Sequence, residues 1–222
     1  MKVTTDSCFL GAWAAEEIKN EELKIKNVLD IGTGTGLLSL MIAQKNDVKI
    51  DAVEIDREAS QQAKENVEAS PWKERIHIFN EDIRSFQPAK KYDCIISNPP
   101  FYENELTSET QTKNIAHHSE QLTIAEVLRI IKAHLKEDGI FFLMYPFKRN
   151  KEIEQLLTGN ELYALDSAIL SQSVRHSPFR AVIKGTSRKE ISTSTESMSI
   201  WDEHQQYTKS FVDVLKDYYL YL

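Results

Sequence analysis

Apolar residues along the 222-residue chain fall into short runs separated by polar, helix-patterned stretches, which predicts alternating strands and helices. Val28, Leu29 and Ile31 form a run of the kind that builds a buried parallel strand, and Leu37, Leu40, Met41 and Ala43 then recur at helical spacing. Residues 48–56 predict a second strand, followed by a helix through Asn66, Val67 and Glu68 that stops near Pro71. Residues 75–79, 92–97 and 140–144 predict the third, fourth and fifth strands. Thr123 and Glu126 form a capping box for a helix through Val127, Ile130, Ile131 and Leu135, closed by Gly139. Residues 163–174 and 179–184 predict two long strands joined through Arg175 to Pro178, and residues 192–200 an edge strand of low specificity. Phe211, Val214, Leu215, Tyr218 and Leu222 mark a terminal amphipathic helix. At the other end Thr5, Asp6 and Ser7 supply N-cap chemistry for a helix bearing Phe9, Leu10, Trp13 and Ala14, a capping region over residues 1–20. No repeat or linker interrupts the series, so the expectation is one α/β domain over residues 1–222. Its sheet should be seven-stranded and mostly parallel, with helices on both faces and an antiparallel last strand.

Between the first strand and its helix lies Asp30-x-Gly32-x-Gly34-x-Gly36. Glycines there let the backbone turn tightly and approach a ligand with no Cβ between them. The dinucleotide fingerprint places its third glycine one residue later. The spacing here resembles the loop of S-adenosyl-L-methionine-dependent methyltransferases, and with it the Rossmann-like fold of that class. The second strand delivers Glu54, 18 residues after Gly36, beside the loop, where it can accept from both ribose hydroxyls of such a cofactor. Asp56 reads as a helix cap. After the third strand, Asp82 is placed to accept from the cofactor's adenine amino group, with Ile83 packing near the ring. The capped turn at Thr5 and Asp6 would lie over the methionine end.

The fourth strand runs directly into Asn98-Pro99-Pro100-Phe101-Tyr102. An exocyclic amine on a base is a poor nucleophile because its lone pair is delocalised into the ring. Two acceptors on its hydrogens, the Asn98 side-chain oxygen and a carbonyl of Pro99 or Pro100, favour a pyramidal nitrogen and free that pair. Consecutive prolines hold the acceptors rigidly, as a preorganised site needs. Phe101 offers a face on which a flipped base can stack. Residues 102–120 have the length and polarity of a lid, with Tyr102 and His118 at its ends as substrate contacts. His117 and His118 lack a third ligand at sensible spacing, so no metal is expected.

Charge and cysteine content narrow the setting. A net charge of −7, from 27 Lys and Arg against 34 Asp and Glu, argues against a protein that grips nucleic acid over its whole surface. A local basic rim is still compatible with it. Lys148 and Arg149 follow the fifth strand, and residues 175–189 hold Arg175, Arg180, Lys184, Arg188 and Lys189 with no acid. Lys148, Arg149, Arg175 and Arg180 are the expected contacts to a polyanionic substrate. Cys8 and Cys94 are too few for a metal or disulfide framework, and no apolar run approaches the roughly 20 residues of a membrane span. No signal-peptide pattern opens the chain, so a cytoplasmic monomer or weak dimer is expected.

With both motifs placed, the chain resembles, nearly end to end, the bacterial adenine-N6 methyltransferases that modify the purine 3′ of the anticodon of a valine tRNA. The likeness runs through Lys2 to Ser7, Leu10 to Trp13, Asp30 to Gly36, Val53-Glu54, Asn98 to Tyr102, Ala116 to His118 and a tyrosine-rich end at Tyr207, Tyr218 and Tyr219. It implies S-adenosyl-L-methionine on the glycine loop and Glu54, and an adenine N6 in tRNA held at Asn98. Thr4 and Ser7 stand where that family often has glycine, and the family usually carries residues ahead of this Lys-Val motif that help enclose the cofactor. Three alternatives share parts of the pattern. N5-glutamine protein methyltransferases use the same Asn-Pro-Pro device, but behind a helical domain that the 29 residues ahead of Asp30 cannot supply. DNA or rRNA amino-methyltransferases call for a larger recognition domain than residues 102–120. A catalytically silent RNA-binding protein would not need Asp30, Glu54 and Asn98 together.

Overall fold

The computed structural model describes residues 3–20, 24–100, 122–189 and 194–221. The stretch expected to be a lid, residues 102–120, and with it Phe101, Tyr102 and His118, lies outside them. The elements run α1 (Thr5–Asn20), β1 (Asn27–Ile31), α2 (Leu37–Lys45), β2 (Lys49–Glu54), α3 (Arg57–Glu68), β3 (Ile76–Asn80), β4 (Tyr92–Ser97), α4 (Ile124–His134), β5 (Leu135–Pro146), α5 (Asn150–Gly159), β6 (Tyr163–Ser173), β7 (Pro178–Thr186), β8 (Ser194–Trp201) and α6 (Lys209–Leu215). Side chains of the central strands alternate between two cores, as a period of two demands. Val28, Cys94, Ile96, Phe142 and Met144 face α1 and α2, while Leu29, Ile31, Ile95, Phe141 and Leu143 face α4 and α5. Asp30, flanked by Leu29 and Ile31, therefore points to the α1 and α2 face.

The strand order is β3-β2-β1-β4-β5-β7-β6-β8, a mixed α/β sheet. It has eight strands among the described residues, one more than the sequence suggests. The antiparallel strand is β7, inserted between β5 and β6, while the last strand, β8, runs parallel to β6. The Ser- and Thr-rich β8 is mostly exposed, and an edge strand needs no buried face to pair, which is why its apolar pattern is weak. A second departure concerns α4, which opens on the Thr123 and Glu126 capping box as expected but ends at His134. Leu135 already pairs with Tyr92 in the sheet, and Lys136 is tied to Asp93, so Gly139 is a strand residue rather than a helix stop.

All strands but β7 present their carboxyl ends to one edge. That edge gathers the glycine loop, Glu54, Asn98, Pro146 and the β6–β7 turn at Val174 to Ser177. In such sheets this edge is where ligands bind. No helix of the described residues is long and apolar enough to cross a membrane.

One glycine is required by packing. A Cβ on Gly185 in β7 would lie 2.4 Å from Phe141 Cζ and 2.7 Å from the Tyr163 carbonyl oxygen. Gly185→Ala is expected to destabilise the fold by about 1–3 kcal/mol, since both neighbours are held by the sheet. Urea unfolding measures this, and an unchanged midpoint would show that the strands yield freely.

Candidate active site

The glycine loop is built by three left-handed residues, Gly32, Gly34 and Gly36, with φ of 70°, 58° and 84°. L side chains rarely adopt that conformation, so the sequence has little alternative to glycine there. The loop is pinned from below. The backbone N–H groups of Gly32 and Thr33 donate to the Val53 carbonyl at 2.9 and 3.1 Å, and Gly36 N–H donates to Thr33 O at 3.0 Å. A Cβ added to Gly32 would meet nothing within 4 Å, so the loop faces open space where a ligand can approach the main chain.

Asp30 and Glu54 brace this loop from two sides. Asp30 is wholly buried, and its Oδ2 accepts from the Thr33 hydroxyl at 2.6 Å and the Ser39 hydroxyl at 2.7 Å. Its Oδ1 is buried without a hydrogen-bond partner among the described residues. Burial, only partly offset by those two hydroxyls, pushes the carboxyl up to about 6. Glu54 is 7% exposed; its Oε2 accepts from Gly34 N–H at 2.8 Å and its Oε1 from Asp56 N–H at 2.9 Å. Each of its oxygens keeps a further lone pair for a ligand hydroxyl. Asp56 caps α3 through Ala59 N–H, as the sequence suggests.

Ile31 is paired with Ser97, whose hydroxyl donates to the Ile31 carbonyl at 2.9 Å, so Asn98 emerges beside Gly32. Asn98 is half-buried and Pro99 buried. The Asn98 amide nitrogen donates to Ser7 Oγ at 2.8 Å, which joins the first turn of α1 to the motif. Thr5 and Asp6 share that turn. Asp6 forms an ion pair with Arg180 at 2.9 Å.

Other expected residues are distributed more unevenly. Asp82 stands past the end of β3, its carboxylate bridged by Arg84 Nε at 2.8 and 3.0 Å and held below the usual range by that guanidinium. Ile83 is buried in the core beside Phe86. Lys148 and Arg149 lie in a 3-10 turn directly after β5, and Arg149 grips Glu152 through two bonds of 2.6 and 2.8 Å. The basic stretch of residues 175–189 is not one patch. Arg175 is exposed in the β6–β7 turn on the ligand edge, while Lys184 is buried against Glu17, and Arg188 and Lys189 follow β7 at the opposite edge.

Sequence reasoning missed Thr33 and Ser39, the hydroxyls that hold Asp30, and Ile55, which is 59% exposed immediately after Glu54. A large apolar residue left exposed between two acids was the available signal for Ile55. Ser7 gave a signal only as a cap.

Residues 14–159 match the family model of the methyltransferase small domain. Over 147 residues the chain is 50% identical to a protein of Dyadobacter fermentans named tRNA1(Val) (adenine(37)-N6)-methyltransferase, covering 66% of this chain and 59% of that relative. A relative of the same name from Bacteroides thetaiotaomicron is 35% identical over 224 residues, covering 100% of this chain and 92% of its own length. Among solved structures, a "predicted O-methyltransferase" of Agrobacterium tumefaciens superposes with a TM-score of 0.72 at 14% identity over 95% of both chains, a likeness of fold. The architecture is thus that of a class I methyltransferase, and the chain belongs to the tRNA1(Val) (adenine(37)-N6)-methyltransferase family.

Proposed function

We propose that this protein, acting as one domain, transfers a methyl group from S-adenosyl-L-methionine to the N6 amine of an adenine in tRNA, and that the adenine is A37 of tRNA1(Val). The observation that carries the reading is the juxtaposition of Asn98 with the glycine loop, at adjoining carboxyl ends of β4 and β1. When bound, S-adenosyl-L-methionine supplies a methyl group on a positively charged sulfur. The loop suits it: the glycines leave room for close approach, Glu54 offers lone pairs to ribose hydroxyls, and the unpartnered Oδ1 of Asp30 leaves an anionic acceptor under the loop. Ile55 supplies an apolar face for the base of the donor, and Asp82 an acceptor for its amine.

Asn98 acts on the acceptor. With its Nδ2 engaged by Ser7, its Oδ1 is left to accept from the amine and draw the nitrogen toward a pyramidal, nucleophilic geometry. Pro99 and Pro100 fix the backbone that presents it. Holding two reactants in line needs no strong general base. Phe101, Tyr102 and His118 are placed by this reading at the acceptor base. The test is incubation with labelled donor and tRNA from cells lacking the modification, followed by mapping of the labelled nucleoside. Label outside an adenine N6, or none, would overturn the reading.

Arg175 is the exposed cation of the β6–β7 turn best placed to meet a tRNA phosphate. Arg175→Glu is expected to raise KM for tRNA and to flatten its salt dependence by roughly one contact, a slope change of about 0.7–0.9. Affinity for S-adenosylhomocysteine should not move. Identical salt slopes in the two proteins would place the tRNA elsewhere. The chemistry needs no disulfide; Cys8 and Cys94 are buried and form none, in keeping with a cytoplasmic setting.

A further inference from the structure

The first turn of α1 carries a series of side-chain hydrogen bonds that ends on Asn98. The Asn98 amide nitrogen donates to Ser7 Oγ at 2.8 Å, and Ser7 Oγ lies 2.8 Å from Thr4 Oγ1. The backbone N–H of Ser7 donates to Asp6 Oδ1 at 3.1 Å, and Asp6 Oδ2 accepts from Arg180 Nε at 2.9 Å. Arg180 stands opposite Pro146 at the carboxyl end of β5. The turn that presents Ser7 is thereby tied to the same sheet edge that presents Asn98.

A primary amide carries an acceptor and a two-proton donor on one planar group that turns about a soft torsion. Rotated by half a turn, Asn98 would offer N–H where a substrate amine needs an acceptor. A hydroxyl oxygen beside Nδ2 opposes that rotation. Either hydroxyl of the Thr4–Ser7 pair can be the donor, and in both senses Ser7 Oγ has a lone pair to accept from Asn98 Nδ2. The geometry points to Ser7 as a positioning residue that fixes the amide of Asn98 with Oδ1 toward the acceptor base. Arg180 and Asp6 hold the turn in place, so their charges serve the scaffold of the site. The inference rests on the reading of Asn98 as the group that holds the target amine.

Single-turnover methyl transfer at saturating tRNA and S-adenosyl-L-methionine tests it in the full chain, using Ser7→Ala, Ser7→Thr, Asn98→Ala and the Ser7→Ala/Asn98→Ala double variant. Ser7→Ala should slow transfer about five- to tenfold, the equivalent of one lost hydrogen bond, with KM for tRNA and affinity for S-adenosylhomocysteine unchanged. Ser7→Thr, which keeps the hydroxyl, should recover most of the rate. In the Asn98→Ala background, Ser7→Ala should change nothing further, because a residue acting through another has no effect once that other is gone. A wild-type rate in Ser7→Ala with a slow Asn98→Ala would overturn the role of Ser7 and leave the reading of Asn98 standing. An equal loss in both backgrounds would also overturn it, as an effect exerted elsewhere. A wild-type rate in Asn98→Ala would sink both together.

Discussion

Asn98→Ala is expected to slow methyl transfer on the order of 10²–10³-fold while leaving affinity for S-adenosylhomocysteine nearly intact, because it removes a preorganised polar group aimed at the reacting amine. Asn98 is half-buried at the end of β4, and its hydrogen bond in the described structure goes to Ser7, not to the glycine loop. The loop itself is pinned by Val53, Glu54 and Asp30, none of which depends on Asn98. The donor pocket should therefore survive the change. The fold should survive it too, since Ser97 keeps β4 on β1 and Pro99 still anchors the turn. Single-turnover kinetics beside calorimetric titration with S-adenosylhomocysteine separate the two effects. A near-normal transfer rate would remove amine positioning from the mechanism, whereas a lost donor affinity would reassign Asn98 to the donor side.

The parts of this site that were legible in the sequence are those encoded locally. Asp30, the three glycines and the first turn of α2 follow one another along the chain, and strand, turn and helix are each written in consecutive residues. Asp56 with Ala59, and Thr123 with Glu126, are caps spanning three residues, and both stand as read. Long-range partners left no such trace. Arg180 looked like a phosphate contact because it sits in a basic stretch, yet it meets Asp6, 174 residues away, across the sheet edge. Ser7 looked like a helix cap, yet its hydroxyl meets Asn98, 91 residues away. Spacing reports the face on which a residue lies, and only the topology tells what faces it. The eighth strand was read over residues 192–200 only weakly, and for another reason: an edge strand of Ser, Thr and Met is stabilised by backbone pairing with β6, which carries no apolar signature.

Asp30→Asn is expected to make the protein more stable at neutral pH and a weaker binder of its methyl donor. Burial raises the folded-state carboxyl from the ordinary 3.8 to about 6. A carboxyl raised on folding contributes stability that is fully present below pH 3.8 and is lost as pH rises through about 6. At pH 7 the folded chain therefore carries a buried carboxylate at a cost of up to about 3 kcal/mol. An asparagine still accepts from Thr33 and Ser39 through its oxygen, so the loop keeps its brace. Its NH2 then occupies the place of the unpartnered Oδ1, which reduces the gain to at most about 2 kcal/mol. The stability difference between the two proteins should shrink as pH falls from 7 to 4. Donor binding should move the other way. The amino-acid ammonium that S-adenosyl-L-methionine and S-adenosylhomocysteine share favours ionised Asp30 when seated on the loop, so wild-type affinity for S-adenosylhomocysteine should fall as pH drops through about 6. The variant should bind weakly and show little of that dependence. Urea midpoints and calorimetric titrations between about pH 4 and 8 read both effects on the same samples. A variant less stable than wild type at pH 7, with unchanged donor affinity, would make Asp30 a brace for the loop and nothing more.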